Sequence, residues 1–236
     1  LYNDAGVVIK AVLMRRNPDL VLVDTNIIAN APKRLFAAGL GDALSTWFEA
    51  RACHKSGART MARGNVSNTG LMMARLCYDL LMEKGRAALS AVERHEVTPG
   101  LEDVVEATIY LSGLGFENGG LAAAHAINDG FAQEPQAHGM YHGEKVAFGT
   151  LTQLVLEKAP QEELEQVLSF LKDTGLPMTL AQLGVAEGVP ETLHKVAEAA
   201  CVPTQSTKNL RADITAQEVY DAILEADRLG REWLAR

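Results

Sequence analysis

Two of the six histidines stand where chemistry is possible. His125 lies in Gly119-Gly120-Leu121-Ala122-Ala123-Ala124-His125-Ala126, a run of small residues that lets neighbouring backbones come close. His142 lies in Tyr141-His142-Gly143-Glu144-Lys145-Val146, where a helix is predicted to begin. The positive end of a helix disfavours imidazolium, and neutral imidazole is the form that ligates metals. Between the two, the stretch from Asp129-Gly130-Phe131 to Gly139-Met140 reads as a loop. Helices joined by such a loop can fold back and point both rings at one spot. A histidine on a small-residue face is, however, more often simply packed and hydrogen-bonded. His138, inside the loop, is a third candidate. His54, His95 and His194 have charged neighbours and read as surface residues.

Asp42 is the carboxylate that stands out, in Ala37-Ala38-Gly39-Leu40-Gly41-Asp42-Ala43-Leu44. A buried carboxylate needs a partner or a cation. Aspartate before Ala-Leu is equally a favoured helix cap. The residue types alone leave both readings open.

These side chains need elements to hold them. Apolar residues from Pro32 onward recur at helical spacing, as in Leu71, Ala74, Tyr78 and Leu81. Thr98-Pro99 predicts a capped helix start. Pro160 opens a helix with Leu164, Val167, Leu168 and Leu171 on one face, stopped by Gly175 and Pro177. Pro190 opens another. Thr215-Ala216-Gln217-Glu218 is a capping box for a last helix running to about Leu234. Before all this, Gly6 to Met14 and Leu20 to Val23 read as two strands around the turn Asn17-Pro18-Asp19. Two strands alone are marginal in water, so the chain opens as though a sheet had been left behind. The expected class is therefore mainly α: a helical, bundle-like domain over 29–236 with a short β-strand pair in 1–28. The lack of strand–helix alternation argues against a complete Rossmann fold or barrel.

Bulk properties narrow the function. Of the 236 residues, 47% are hydrophobic and 22% charged, which is ordinary for a globular protein. The net charge of −8 and the lack of a basic run beyond Arg15-Arg16 argue against nucleic acid. No apolar run approaches the roughly 20 residues of a membrane helix, and no signal peptide is recognisable. Three scattered cysteines, Cys53, Cys77 and Cys201, fit free thiols in the cytoplasm.

Three segments, Gly41 to Ala50, Gly119 to His125 and His142 to Thr150, resemble the glycerol dehydrogenases of the iron-containing alcohol dehydrogenase family. The similarity extends through the chain, including Asn17 to Thr25. It implies that the strand pair in 1–28 is left from a missing α/β nucleotide-binding domain, and that Asp42, His125 and His142 are the catalytic metal ligands. It also implies a divalent ion (zinc in most glycerol dehydrogenases, iron in several relatives), NAD, glycerol or a related diol, and homo-oligomers. One carboxylate and two imidazoles leave positions open, as a catalytic ion requires. The implied reaction is glycerol plus NAD giving dihydroxyacetone plus NADH.

Two departures qualify this. The family's glycine-rich pyrophosphate loop has no counterpart. Gly113 to Gly120 lacks dinucleotide spacing and reads as helix packing. Asn128-Asp129 replaces the family's histidine and asparagine, so Asn128 cannot relay a proton. The competing readings are a non-catalytic metal-binding or oligomerisation module without the NAD domain, and a metal-assisted hydrolase with Glu144 as base.

Overall fold

Residues 16–236 are described by a computed structural model of the chain. Among them every regular element is helical, and the bridge between Arg59 and Asn65 is isolated. Helix α1 (Thr25–Ala29) is capped by Asp24, whose carboxylate accepts from the Asn26 amide. Helix α2 (Lys33–Ser56) starts after Pro32 and ends at Gly57, whose φ of 73° is one that L side chains rarely adopt. Helix α3 (Asn68–Glu93) is capped by Ser67. Helix α4 (Pro99–Val105) runs unbroken through a π turn (Glu106–Leu111) into α5 (Ser112–Gly119). Helices α6 (Ala123–Phe131) and α7 (His142–Leu156) follow, and then α8 (Gln161–Thr174), α9 (Val189–Ala200), α10 (Thr207–Leu210) and α11 (Ala216–Leu234).

The predicted starts hold where local chemistry dictates them. Thr98 accepts from the Leu101 amide with Pro99 in the first turn. Thr215 and Glu218 satisfy each other's orphan amides. In α8, Leu164, Val167, Leu168 and Leu171 are buried, and Gly175 ends the helix at φ 72°.

The strand pair is corrected where it can be compared. Residues 6–14 lie outside the described residues. Residues 20–23 form no strand, and Leu20, Val21 and Leu22 are exposed. An apolar run is not enough to make a strand, because its amide and carbonyl groups need a neighbouring ladder, and none is found among the described residues.

Helix α7 is the axis of the fold. It packs against α2, α6, α8 and α11, and every residue from Gly143 to Leu154 is buried. A helix buried all round belongs in the centre of a domain. Its neighbour α2 also packs on α3 and α5, while α6 packs on α9. One continuous core joins Leu40, Leu44, Phe48, Phe131, Phe148 and Leu151 to Val167, Leu193 and Ile223.

Candidate metal centre

The site lies where α2, α6 and α7 meet. Asp42 sits in the middle of α2, so its cap reading is excluded. His125 is in the first turn of α6 and His142 is the first residue of α7. Glycines make the junction possible. A Cβ on Gly41 would come within 2.6 Å of the Gly143 carbonyl oxygen, and one on Gly143 would overlap the Ala38 carbonyl. These residues flank Asp42 and His142, so the closest approach of the two helices falls at the ligand candidates. On the other side of α7, Gly149 packs directly on the backbone of Ala124, next to His125.

The donor atoms converge. Nε2 of His125 and Nε2 of His142 each lie 3.4 Å from Asp42 Oδ1, and the ring centroids are 5.3 Å apart. The three donors lie within 4.8 Å of one another. Asp42 Oδ1 is buried and makes no hydrogen bond. A buried, unpaired carboxylate oxygen is costly, and oxygen with imidazole nitrogen is a donor set suited to zinc, iron or nickel. The residues present therefore fit a divalent ion.

The charges of these groups are coupled. Burial alone would raise the Asp42 carboxyl, but the two imidazoles outweigh it and hold it well below the usual range. Burial alone would push the His125 ring down, yet Glu49 and Asp42 outweigh that and hold it well above its ordinary value. The site is a fixed negative centre between two rings.

A cavity of about 310 Å³ opens on these groups. Thr46, Thr108, Ser112, Gly113 and Phe116 complete its lining. The Thr46 and Ser112 hydroxyls are hydrogen-bonded at 2.9 Å. Thr108 comes from the π turn, a distortion frequent at functional sites.

Glu49 was missed by the sequence reading. It is fully buried, with Oε2 2.6 Å from His125 Nδ1. Its Oε1 accepts from the amides of Ala122 at 2.8 Å and His125 at 3.1 Å. The available signal was its place seven residues after Asp42, two turns along the same helix face, between apolar neighbours. Thr46, four residues after Asp42, carried the same signal, while Thr108, Ser112 and Phe116 had none.

The other candidates stay apart. His138, His54, His95 and His194 are exposed, and His194 stacks on Tyr220. Asn128 is buried and donates to Asp129 Oδ1 at 3.1 Å, away from the cavity lining. Glu144, the base a hydrolase would need, is held by Arg34 at 2.6 and 2.8 Å and accepts from the Tyr141 amide. Burial pushes the Cys53 and Cys77 thiols up to about 12, so neither is a ready nucleophile. Within Gly113 to Gly120, Gly115 and Gly119 pack helices as expected, with a Cβ on Gly119 meeting that of Ala50 at 2.5 Å, whereas Gly113 and Phe116 line the cavity. Among the described residues no helix is long and apolar enough to cross a membrane.

No family model matches the chain. It is 54% identical over 234 residues to the glycerol dehydrogenase of Escherichia coli O6:H1, which covers 99% of this chain and 64% of that protein. It is 51% identical to the glycerol dehydrogenase of Pseudomonas putida, with the same coverage. The crystal structure of glycerol dehydrogenase from Schizosaccharomyces pombe superposes with a TM-score of 0.96 at 39% identity, covering 100% of this chain and 60% of that one. The chain thus spans less than two thirds of the length of these relatives. Over nearly its whole length, the chain is a homologue of the C-terminal part of the glycerol dehydrogenases of the iron-containing alcohol dehydrogenase family.

Proposed function

We propose that this chain is the metal-binding catalytic part of a glycerol dehydrogenase, with residues 29–236 as its helical domain. In this reading Asp42, His125 and His142 hold a divalent ion, zinc or iron. The observation that carries it is the unpaired, buried Asp42 Oδ1 facing two imidazole nitrogens at the wall of a hydroxyl-lined cavity. When bound, such an ion supplies Lewis acidity that lowers the pKa of an alcohol. The chain's own groups do the rest of the positioning. Thr46, Thr108 and Ser112 offer hydroxyl partners to a vicinal diol, and Phe116 presents an apolar face to its carbon chain. NAD is the hydride acceptor, and dihydroxyacetone the product from glycerol.

The family relationship supports the substrate and NAD. Free, mostly buried cysteines support a reducing compartment such as the cytoplasm. Homo-oligomers belong to the same reading, supported by exposed apolar side chains such as Met72 and Leu76 on α3.

The test is zinc binding and NADH formation from glycerol and NAD, with Asp42→Asn as control. Stoichiometric zinc and turnover, both lost in the control, are expected. Zinc retained by Asp42→Asn overturns the ligand set. Zinc bound without turnover, lost in the control, favours the non-catalytic metal-binding module instead.

A further inference from the structure

We propose that Glu49 is a positioning residue that fixes the His125 ring with its proton on Nδ1, leaving the Nε2 lone pair aimed at Asp42 and His142. The inference rests on the metal-site reading above. It starts from the beginning of α6. The residue before that helix, Ala122, has no side chain able to cap it, so the leading amides need partners from elsewhere. Glu49 Oε1 takes those of Ala122 and His125. Gln153 Oε1 takes those of Ala123 and Ala124, each at 3.0 Å. The Gln153 amide is itself turned by donating to Glu157 at 2.8 Å, and Glu157 pairs with Arg51. The helix start is therefore hung from α2 and α7, which also carry Asp42 and His142.

The second oxygen of Glu49 then has one task. Two backbone amides fix the carboxylate plane, and Oε2 meets His125 Nδ1 at 2.6 Å. An ionised carboxylate only accepts, so Nδ1 must donate. In the neutral ring Nε2 is then the free nitrogen, 3.4 Å from Asp42 Oδ1. Glu49 is fully buried, so water does not compete for this bond. Partners of this kind orient metal-ligating histidines generally. Here the same carboxylate also holds the backbone of the residue whose ring it orients, so ring and helix start move together.

Glu49→Gln separates the two tasks. The glutamine oxygen stays on the two backbone amides, because its NH₂ cannot accept from them. The NH₂ then faces Nδ1, which must accept, and the proton moves to Nε2, facing the site. The expected result is a folded chain that binds zinc about 10–100-fold more weakly. In nitrogen-15 NMR of the metal-free chain, at a pH where the ring is neutral, His125 carries its proton on Nδ1 in the native protein and on Nε2 in Glu49→Gln. Glu49→Ala orphans the backbone amides as well and loses thermal stability together with zinc. Native-like zinc affinity in Glu49→Gln, or a native His125 protonated on Nε2, overturns the inference. A native chain that binds no zinc but carries the Nδ1 proton would sink the metal-site reading and leave the ring positioning standing. Zinc lost in Asp42→Asn but unchanged in Glu49→Gln would do the reverse.

Discussion

The junction of α2, α6 and α7 and the outer helices α8 and α11 are both helical, yet they are held by different means. The outer helices follow apolar stripes. In α11, Val219, Ala222, Ile223 and Ala226 are buried at three- and four-residue spacing, and a capping box fixes the start. Large side chains fill most of the space between such helices, with one close backbone contact where Gly230 of α11 meets the Met178 carbonyl. At the junction, glycine and alanine bring backbones into contact, and α7 has no solvent face from Gly143 to Leu154. Glu49 and Gln153 are fully buried there, whereas α11 buries a single polar side chain, Asp227, which accepts from the Leu180 amide at 2.8 Å. A stripe specifies which face is buried, while backbone contact specifies where a given atom lies. A site with donors 3.4 Å apart needs the second.

Several substitutions sharpen or break that contrast. Gly143→Ala should have the largest effect, because its Cβ overlaps the Ala38 carbonyl. Chemical denaturation should show a loss of about 3 kcal/mol, the upper end for overpacking, and zinc titration should show the site gone. Native stability with native zinc affinity would mean the junction is as adaptable as the outer helices.

Thr215→Ala should cost about 1 kcal/mol through the lost cap and leave zinc affinity unchanged. A change in zinc affinity would show the two regions to be coupled. Its partner Glu218 adds a pH signature. The Thr215 backbone amide, followed by Arg211, holds its carboxyl down at about 2 against an ordinary 4.5. A depressed folded value means its contribution is complete above about 4.5 and is lost as pH falls toward 2. Glu218→Ala should therefore flatten that part of an acid-unfolding curve followed by circular dichroism.

Gly39→Ala should have the smallest effect and the opposite sign. A Cβ there meets nothing within 4 Å, although it is only two residues from Gly41. Removing glycine from a helix interior should add about 0.5–1 kcal/mol. Destabilisation instead would show that α2 tolerates no side chain anywhere near the site.

Much of the helical framework was legible in the sequence because its signals are local. A threonine before proline, a capping box and a glycine after an apolar stripe act within one turn of chain. The π turn at Glu106–Leu111 was not legible, since its wider hydrogen-bond register leaves no mark on apolar spacing. Nor was the fate of residues 20–23, where strand-like residues lack a ladder among the described residues. His125 and His142 stood out by their surroundings, and Asp42 by its isolation among small residues. Only resemblance joined them into one set. Glu49 and the hydroxyls of Thr46 and Ser112 escaped notice because their partners lie 66 to 76 residues away.

By itself the sequence determined that the chain is a set of helices with defined caps and apolar faces, an acidic surface, and one family resemblance. These follow from periodicity, composition and short-range hydrogen bonding. The tertiary structure decided which carboxylate meets which ring. It set Asp42 inside a helix instead of at a cap, seated Glu49 on His125 and tied Glu144 to Arg34. Those choices depend on how closely three helices approach. That distance is set by the absence of side chains at Gly41, Gly143 and Gly149 acting together, and no single stretch of sequence contains all three contacts.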